Sequence, residues 1–170
     1  MAPDPVIRHT RLPKGNGILE VETLLPLPMD DVFPFFAEAG NLQRITPPEL
    51  DFQVVTPLPV QMAAGAVIEY RLRLFGIPFR WQTRITLWEP PRRFLDEQLR
   101  GPYREWIHVH DFEPAATGTR MTDRIRYRLP LHPFSRPVAP LVRTQLTRIF
   151  RFRARAIRDA LLVSGGPAPG

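Results

Sequence analysis

Two imidazoles alternate with two aromatic rings in the segment GPYREWIHVHDF (101–112), which carries Trp106, His108, His110 and Phe112. Alternate side chains of a strand point the same way, so all four share one face. Such a mixture suits the wall of a ligand cavity better than a dry core or a wet surface. Asp123 is the natural partner. It is the only charged residue in the inward series Met121, Asp123, Ile125, Tyr127 and Leu129, and a carboxylate kept inside needs a partner. A turn over Pro114–Thr117 would set His110 opposite Met121, His108 opposite Asp123 and Trp106 opposite Ile125. A histidine held by a carboxylate in an apolar pocket favours imidazolium and can move a proton, with His108 or His110 as base and Asp123 as its orienter. The same pair can equally be a satisfied polar link that orients a guest or pins the strands. The His-x-His spacing also admits a metal, but a third ligand is needed and the register supplies only Asp123. Aromatic neighbours are not typical metal surroundings, so no metal is expected.

Other chemistries find little support. With no cysteine there is no disulfide framework, thiolate nucleophile or thiolate metal site. Ser135 and Ser164 lie in a proline-rich loop and the tail, outside any nucleophile-elbow pattern. The lone Lys14 sits near the N-terminus, and Gly15 and Gly17 precede a strand, so no phosphate-binding loop is present. His9 and His132 are expected in loops. No cofactor is expected.

The net charge of +6 is compatible with nucleic acid, an anionic membrane surface or an acidic ligand. All but one of the 23 basic residues are arginine, and they are scattered rather than blocked, which favours a compositional bias. Arg71, Arg73, Arg80, Arg84, Arg124, Arg126 and Arg128 would project from one side of the sheet, where they could serve an interaction module for an anionic partner. Cross-strand pairing with Glu20, Glu22, Glu69, Glu105 and Asp111 is the structural alternative. No RNA-binding aromatic motif accompanies them, so nucleic acid is not the expected partner. The first residues lack an apolar signal core and no apolar run is long enough to cross a bilayer, so the chain reads as soluble and cytoplasmic. Nothing in the sequence indicates an oligomeric state.

The elements that must carry these residues follow from periodicity. Residues 18–25 alternate as a strand, and PMDDVFPFFAEAGNLQRITPP predicts two short helices. The first would be capped by Asp30 or Asp31, bury Val32, Phe33 and Phe36, and be kept short or bent by Pro34; the second would cover 41–45. Asp51–Val55 reads as a short strand. Ala66–Leu74 and Phe79–Trp88 read as a hairpin turning at Gly76 and Ile77, which pairs Leu74 with Phe79, Leu72 with Trp81, Tyr70 with Thr83 and Ile68 with Ile85. Strands over 93–99, 103–112 and 119–129 follow, and the inner face of the first is open between Phe94, Asp96 and Gln98 on one side and Leu95 and Glu97 on the other. Residues 138–162 form an amphipathic helix with Val138, Val142, Leu146, Ile149, Phe150, Ile157, Ala160 and Leu161 on its apolar stripe and Arg143, Arg151, Arg155 and Arg158 largely opposite. This is one domain over 1–163 with a disordered tail over 164–170.

The stretches LPLPMDDVFPFFAEAGNLQRITPP, WEPPRRFLDEQLRGPYREWIHVHDFEP and GTRMTDRIRYRLPL resemble the START, Bet v 1 and polyketide cyclase/dehydrase superfamily in its bacterial ligand-binding branch. That resemblance implies an α+β helix-grip fold: a curved, seven-stranded antiparallel sheet wrapped around a long C-terminal helix, with two short helices near a cavity entrance. Tyr70, Leu72, Trp81, Thr83, Ile85, Trp106, His108, His110, Phe112, Met121, Asp123, Tyr127, Leu146 and Phe150 are the expected ligand-binding residues. The expected partner is a small hydrophobic or amphipathic molecule, lipid-like, polyketide-like or isoprenoid. The alternative is a cofactor-independent cyclase, dehydratase or isomerase using His108, His110 and Asp123 in the same cavity.

Overall fold

In the computed structural model, which describes residues 3–164, an antiparallel sheet curves around the last helix. Its strands are β1 (Val6–Arg11), β2 (Asn16–Leu25), β3 (Gln53–Val54), β4 (Val67–Leu74), β5 (Ile77–Glu89), β6 (Arg93–Arg100), β7 (Glu105–Ala115) and β8 (Gly118–Arg128). The spatial order is β1-β2-β8-β7-β6-β5-β4-β3, so the two edges are β1 and β3. The helices are α1 (Met29–Ala37), α2 (Asn41–Arg44) and α3 (Ala139–Ser164).

Eight strands replace the seven expected, because Val6–Arg11 pairs with β2. Its sequence, VIRHTR, has weak apolar alternation, and pairing with β2 rather than burial makes it a strand. His9 therefore lies on β1, not in a loop, and its Nε2 is 2.8 Å from Thr147 Oγ1 of α3. Of the tail expected over 164–170, Ser164 is helical and the remainder lies outside the described residues.

Both major hairpins pair two residues away from the expected register. The β4–β5 turn falls on Phe75 and Gly76, so Leu74 pairs with Ile77, Leu72 with Phe79 and Tyr70 with Trp81. Phe75 and Gly76 both have positive φ, 51° and 78°, the arrangement whose twist matches that of the strands. The β7–β8 turn holds two residues in place of the four expected, with Ala115 opposite Gly118. Gly118 has φ 130°, and a Cβ there would lie 2.1 Å from the Leu25 carbonyl oxygen, so glycine is required. A two-residue shift leaves every side chain on its expected face, because the strand period is two. What changes is who meets whom: His110 pairs with Asp123, His108 with Ile125 and Trp106 with Tyr127.

Phe94, Asp96 and Gln98 take the inner face of β6, with Phe94 buried. Register irregularities in β5 at Gln82/Thr83 and Ile85/Leu87 bend that strand against β6. Helix α1 starts after Pro28, and Asp30 and Asp31 occupy its first turn rather than capping it. It buries Val32, Phe33 and Phe35, with Phe36 only partly covered, and Pro34 sits inside a helix of nine residues. One part of the core packs α1 and the end of α3 onto Phe94, Phe112 and Met121; another packs Leu146 and Phe150 onto Trp106, Ile125 and Tyr127. Val138 is exposed in a single 3-10 turn before α3. Arg158, expected on the outer side, is buried and donates to the carbonyls of Ala154 and Pro3 at 3.1 and 2.7 Å.

Candidate functional site

Between the concave sheet face, α1–α2 and α3 lies a cavity of about 170 Å³. Its walls are largely apolar. Of the expected residues, Tyr70, Leu72, Trp81, Ile85, Trp106, His108, His110, Leu146 and Phe150 line it. Thr83, Phe112, Met121, Asp123 and Tyr127 are buried behind that lining. Phe112 is taken up by α1, with Phe33 and Phe36 ring centroids 5.4 and 5.1 Å away. Trp81, Tyr103 and Trp106 form a ring cluster with centroid separations of 4.8–5.7 Å.

Three neighbouring strands supply the polar wall. Asp96 on β6 lies opposite His108 on β7, and His110 lies opposite Asp123 on β8. His108 Nε2 is 2.9 Å from Asp123 Oδ1, and His110 Nε2 is 2.9 Å from Asp96 Oδ2. His110 Nδ1 also approaches Asp123 Oδ1 at 2.9 Å, but without a hydrogen-bonding alignment, so it is a charge contact. His108 Nδ1 faces Asp96 Oδ2 at 3.6 Å. The Thr83 hydroxyl lies 3.1 Å from Asp96 Oδ1 and 3.0 Å from the Glu97 carbonyl, and can donate to one at a time. The imidazoles stand in a column, with Phe94 stacked on His110 at 4.0 Å, His110 on His108 at 3.7 Å and Phe150 edge-on to His108 at 5.8 Å.

This environment separates two histidines of identical intrinsic chemistry. Burial pushes His108 down, and the neighbouring His110 charge pushes it further than the Asp123 bond can restore. Burial acts on His110 in the same direction, but its contacts with Asp123 and Asp96 prevail and raise it. Burial alone would raise both carboxyls; hydrogen bonds and charges from the histidines hold Asp96 and Asp123 below the ordinary range. Of the two rings, His110 is the one the carboxylates favour as a cation and His108 the one favoured neutral. The wall can orient a polar group or exchange a proton with it, although Asp96 partners His110 as closely as Asp123 partners His108.

Among the lining residues that escape the sequence reading, two stand out for their charge beside the histidines. One is Asp96, because the alternation of β6 is ambiguous. The other is Arg153, which lines the cavity with its guanidinium carbon 5.0 Å above the Phe150 ring and its Nε shielded from solvent without a hydrogen-bond partner. Burial lowers its pKa. Its position is legible in the sequence: residue 153 stands three after Phe150 and four before Ile157 on the apolar stripe. Asp96, His108 and His110 each offer one potential metal-ligand atom, all within 4.8 Å of one another.

The family model described as "Polyketide cyclase / dehydrase and lipid transport" matches residues 25–158. The chain belongs to that family. Among solved structures, TTHA0849 from Thermus thermophilus is 18% identical with a TM-score of 0.68, covering 88% of this chain and 99% of that one. Ms6760 from Mycobacterium smegmatis is 16% identical with a TM-score of 0.69, covering 95% and 99%. Ara h 8.0201, a Bet v 1-like protein, is 14% identical with a TM-score of 0.66, covering 88% and 99%. At these identities the structures share the fold. A search of curated proteins finds no match. Family and fold together make this a hydrophobic ligand-binding architecture. No helix among the described residues is long and apolar enough to cross a membrane.

Proposed function

We propose that the chain binds one small apolar or amphipathic molecule between the sheet and α3, with its polar end turned toward Asp96, His108, His110 and Arg153. The observation carrying this reading is a cavity whose walls are mostly apolar and which holds one cluster of charged and titratable groups, Asp96, His108, His110 and Arg153, with Glu38, Asn41 and Thr46 on the α1–α2 side. Its size narrows the guest. A cavity of about 170 Å³ compares with the roughly 150 Å³ apolar cavity that holds one benzene-sized ring, and so fits a compact ring or a short branched chain.

Apolar contact supplies affinity at about 25 cal/mol per Å² buried, and the polar wall selects orientation. Native mass spectrometry of the purified chain, followed by denaturation and analysis of its organic extract, tests the proposal. A low-mass guest that departs on unfolding is the expected result. No guest in the extract, together with no saturable uptake of compact apolar probes, would overturn it.

A further inference from the structure

We propose that Asp96, His108 and His110 form a site for one divalent first-row transition-metal ion on the cavity wall, with Asp123 behind the rings, hydrogen-bonded to His108 and in charge contact with His110. This goes beyond guest binding and does not depend on it.

The geometry has three parts. Asp96 Oδ2 lies 2.9 Å from His110 Nε2 and 3.6 Å from His108 Nδ1. Atoms bound to one ion at about 2.0–2.2 Å are spaced about 3–3.5 Å apart; the two Asp96 separations bracket that range, and since all three atoms lie within 4.8 Å of one another the two rings would close toward each other on an ion. Second, the far nitrogens of both rings, His108 Nε2 and His110 Nδ1, each lie 2.9 Å from the same Asp123 oxygen. A carboxylate hydrogen-bonded behind a metal-binding imidazole fixes which nitrogen is free, as Asp123 does for His108. Third, Asp96, His108 and His110 line the cavity whereas Asp123 does not, so further coordination positions would open toward a guest.

At 3.6 Å the contact between Asp96 Oδ2 and His108 Nδ1 is longer than a hydrogen bond, which leaves that nitrogen open to an ion. Thr83 bonds Asp96 through Oδ1, the other oxygen. Two nitrogens and one carboxylate suit zinc, iron, cobalt or nickel better than magnesium or calcium, which favour all-oxygen sets. Arg153 lies on the same cavity without a carboxylate at ion-pair distance among the described residues, so an anionic oxygen on the guest would find the metal and a guanidinium together.

The test titrates chelator-treated protein with Co²⁺ alone at neutral pH, by visible absorption and calorimetry, with Zn²⁺ as competitor. One saturable equivalent with the absorption bands of nitrogen-ligated Co²⁺ is expected. His110→Gln and Asp96→Asn weaken uptake by more than about 100-fold, and Asp123→Asn by about 10–100-fold with stoichiometry retained. His132→Gln, in an exposed loop, leaves it unchanged. Should the cluster variants fail to fold, nitrogen NMR of the wild type decides: Zn²⁺ must shift His108 Nδ1 and His110 Nε2. Absence of saturable Co²⁺ uptake, uptake that survives His110→Gln, or Zn²⁺ shifts at other nitrogens would overturn the site. Loss of metal binding with guest uptake intact would refute this inference alone.

Discussion

The two faces of the sheet use the same charged groups in opposite ways. On the convex face the ion pairs are exposed: Arg124 reaches Glu20 at 2.9 Å with side chains 58% and 28% accessible. Arg80 meets Glu69, Arg126 meets Glu105 and Arg93 meets Asp111 in the same fashion. On the concave face His108 and Asp123 keep the same 2.9 Å, yet are only 5% and 4% accessible. Distance does not distinguish the faces; solvent does. Two unit charges at 4 Å interact by about 1 kcal/mol in water and about 4 kcal/mol at an effective dielectric of 20. The outer pairs use several of the chain's arginines with little energy in each, while the inner cluster shifts the titration of its members.

The largest expected effect comes from breaking the inner cluster. Asp123→Ala leaves His108 Nε2 without its acceptor and one buried carboxylate where there were two, costing about 3–5 kcal/mol in urea unfolding. A loss below about 1 kcal/mol would place Asp123 energetically with the surface pairs. Next is Gly118→Ala, which forces a side chain into the left-handed region against the Leu25 carbonyl and costs at least about 1–3 kcal/mol. Its protein should also show altered His110 chemical shifts, since that turn sets Asp123 opposite His110.

Acid titration sharpens the contrast. The folded Asp123 carboxyl lies below its unfolded value of about 3.9, so its stabilisation is full above about pH 4 and fades as the pH falls toward the folded value. The stability gap between wild type and Asp123→Asn is therefore widest near neutrality and closes in acid; a gap that widened on acidification would reverse the assigned sign. The smallest effect is Arg124→Ala, under about 1 kcal/mol and diminished further by salt. A larger, salt-insensitive loss would show that the convex pairs are structural.

Much of this is legible before the fold. The alternation of β7 and β8 puts His108, His110 and Asp123 on the inner face, and the 3.6-residue period of α3 places Leu146 and Phe150 against them. Partner identity is not legible, because a turn two residues shorter preserves every face while moving Asp123 from His108 to His110. Asp96 is ambiguous for a related reason: Phe94, Leu95, Asp96 and Glu97 offer no clean alternation, and the side of β6 is settled by pairing with β7. Strand β1 leaves little trace because its pairing, more than its composition, makes it a strand.

Under the proposed function, the hollow beside α3 accepts a compact apolar guest. Fluorine NMR of a single-ring fluorinated aromatic acid, titrated against wild type and Ile149→Trp, tests it most directly, because Ile149 lines the cavity and an indole there fills it. Saturable binding to the wild type, abolished in the filled variant while its melting temperature is retained, is the predicted result. Binding unaffected by Ile149→Trp, or no saturable binding to the wild type, would contradict it.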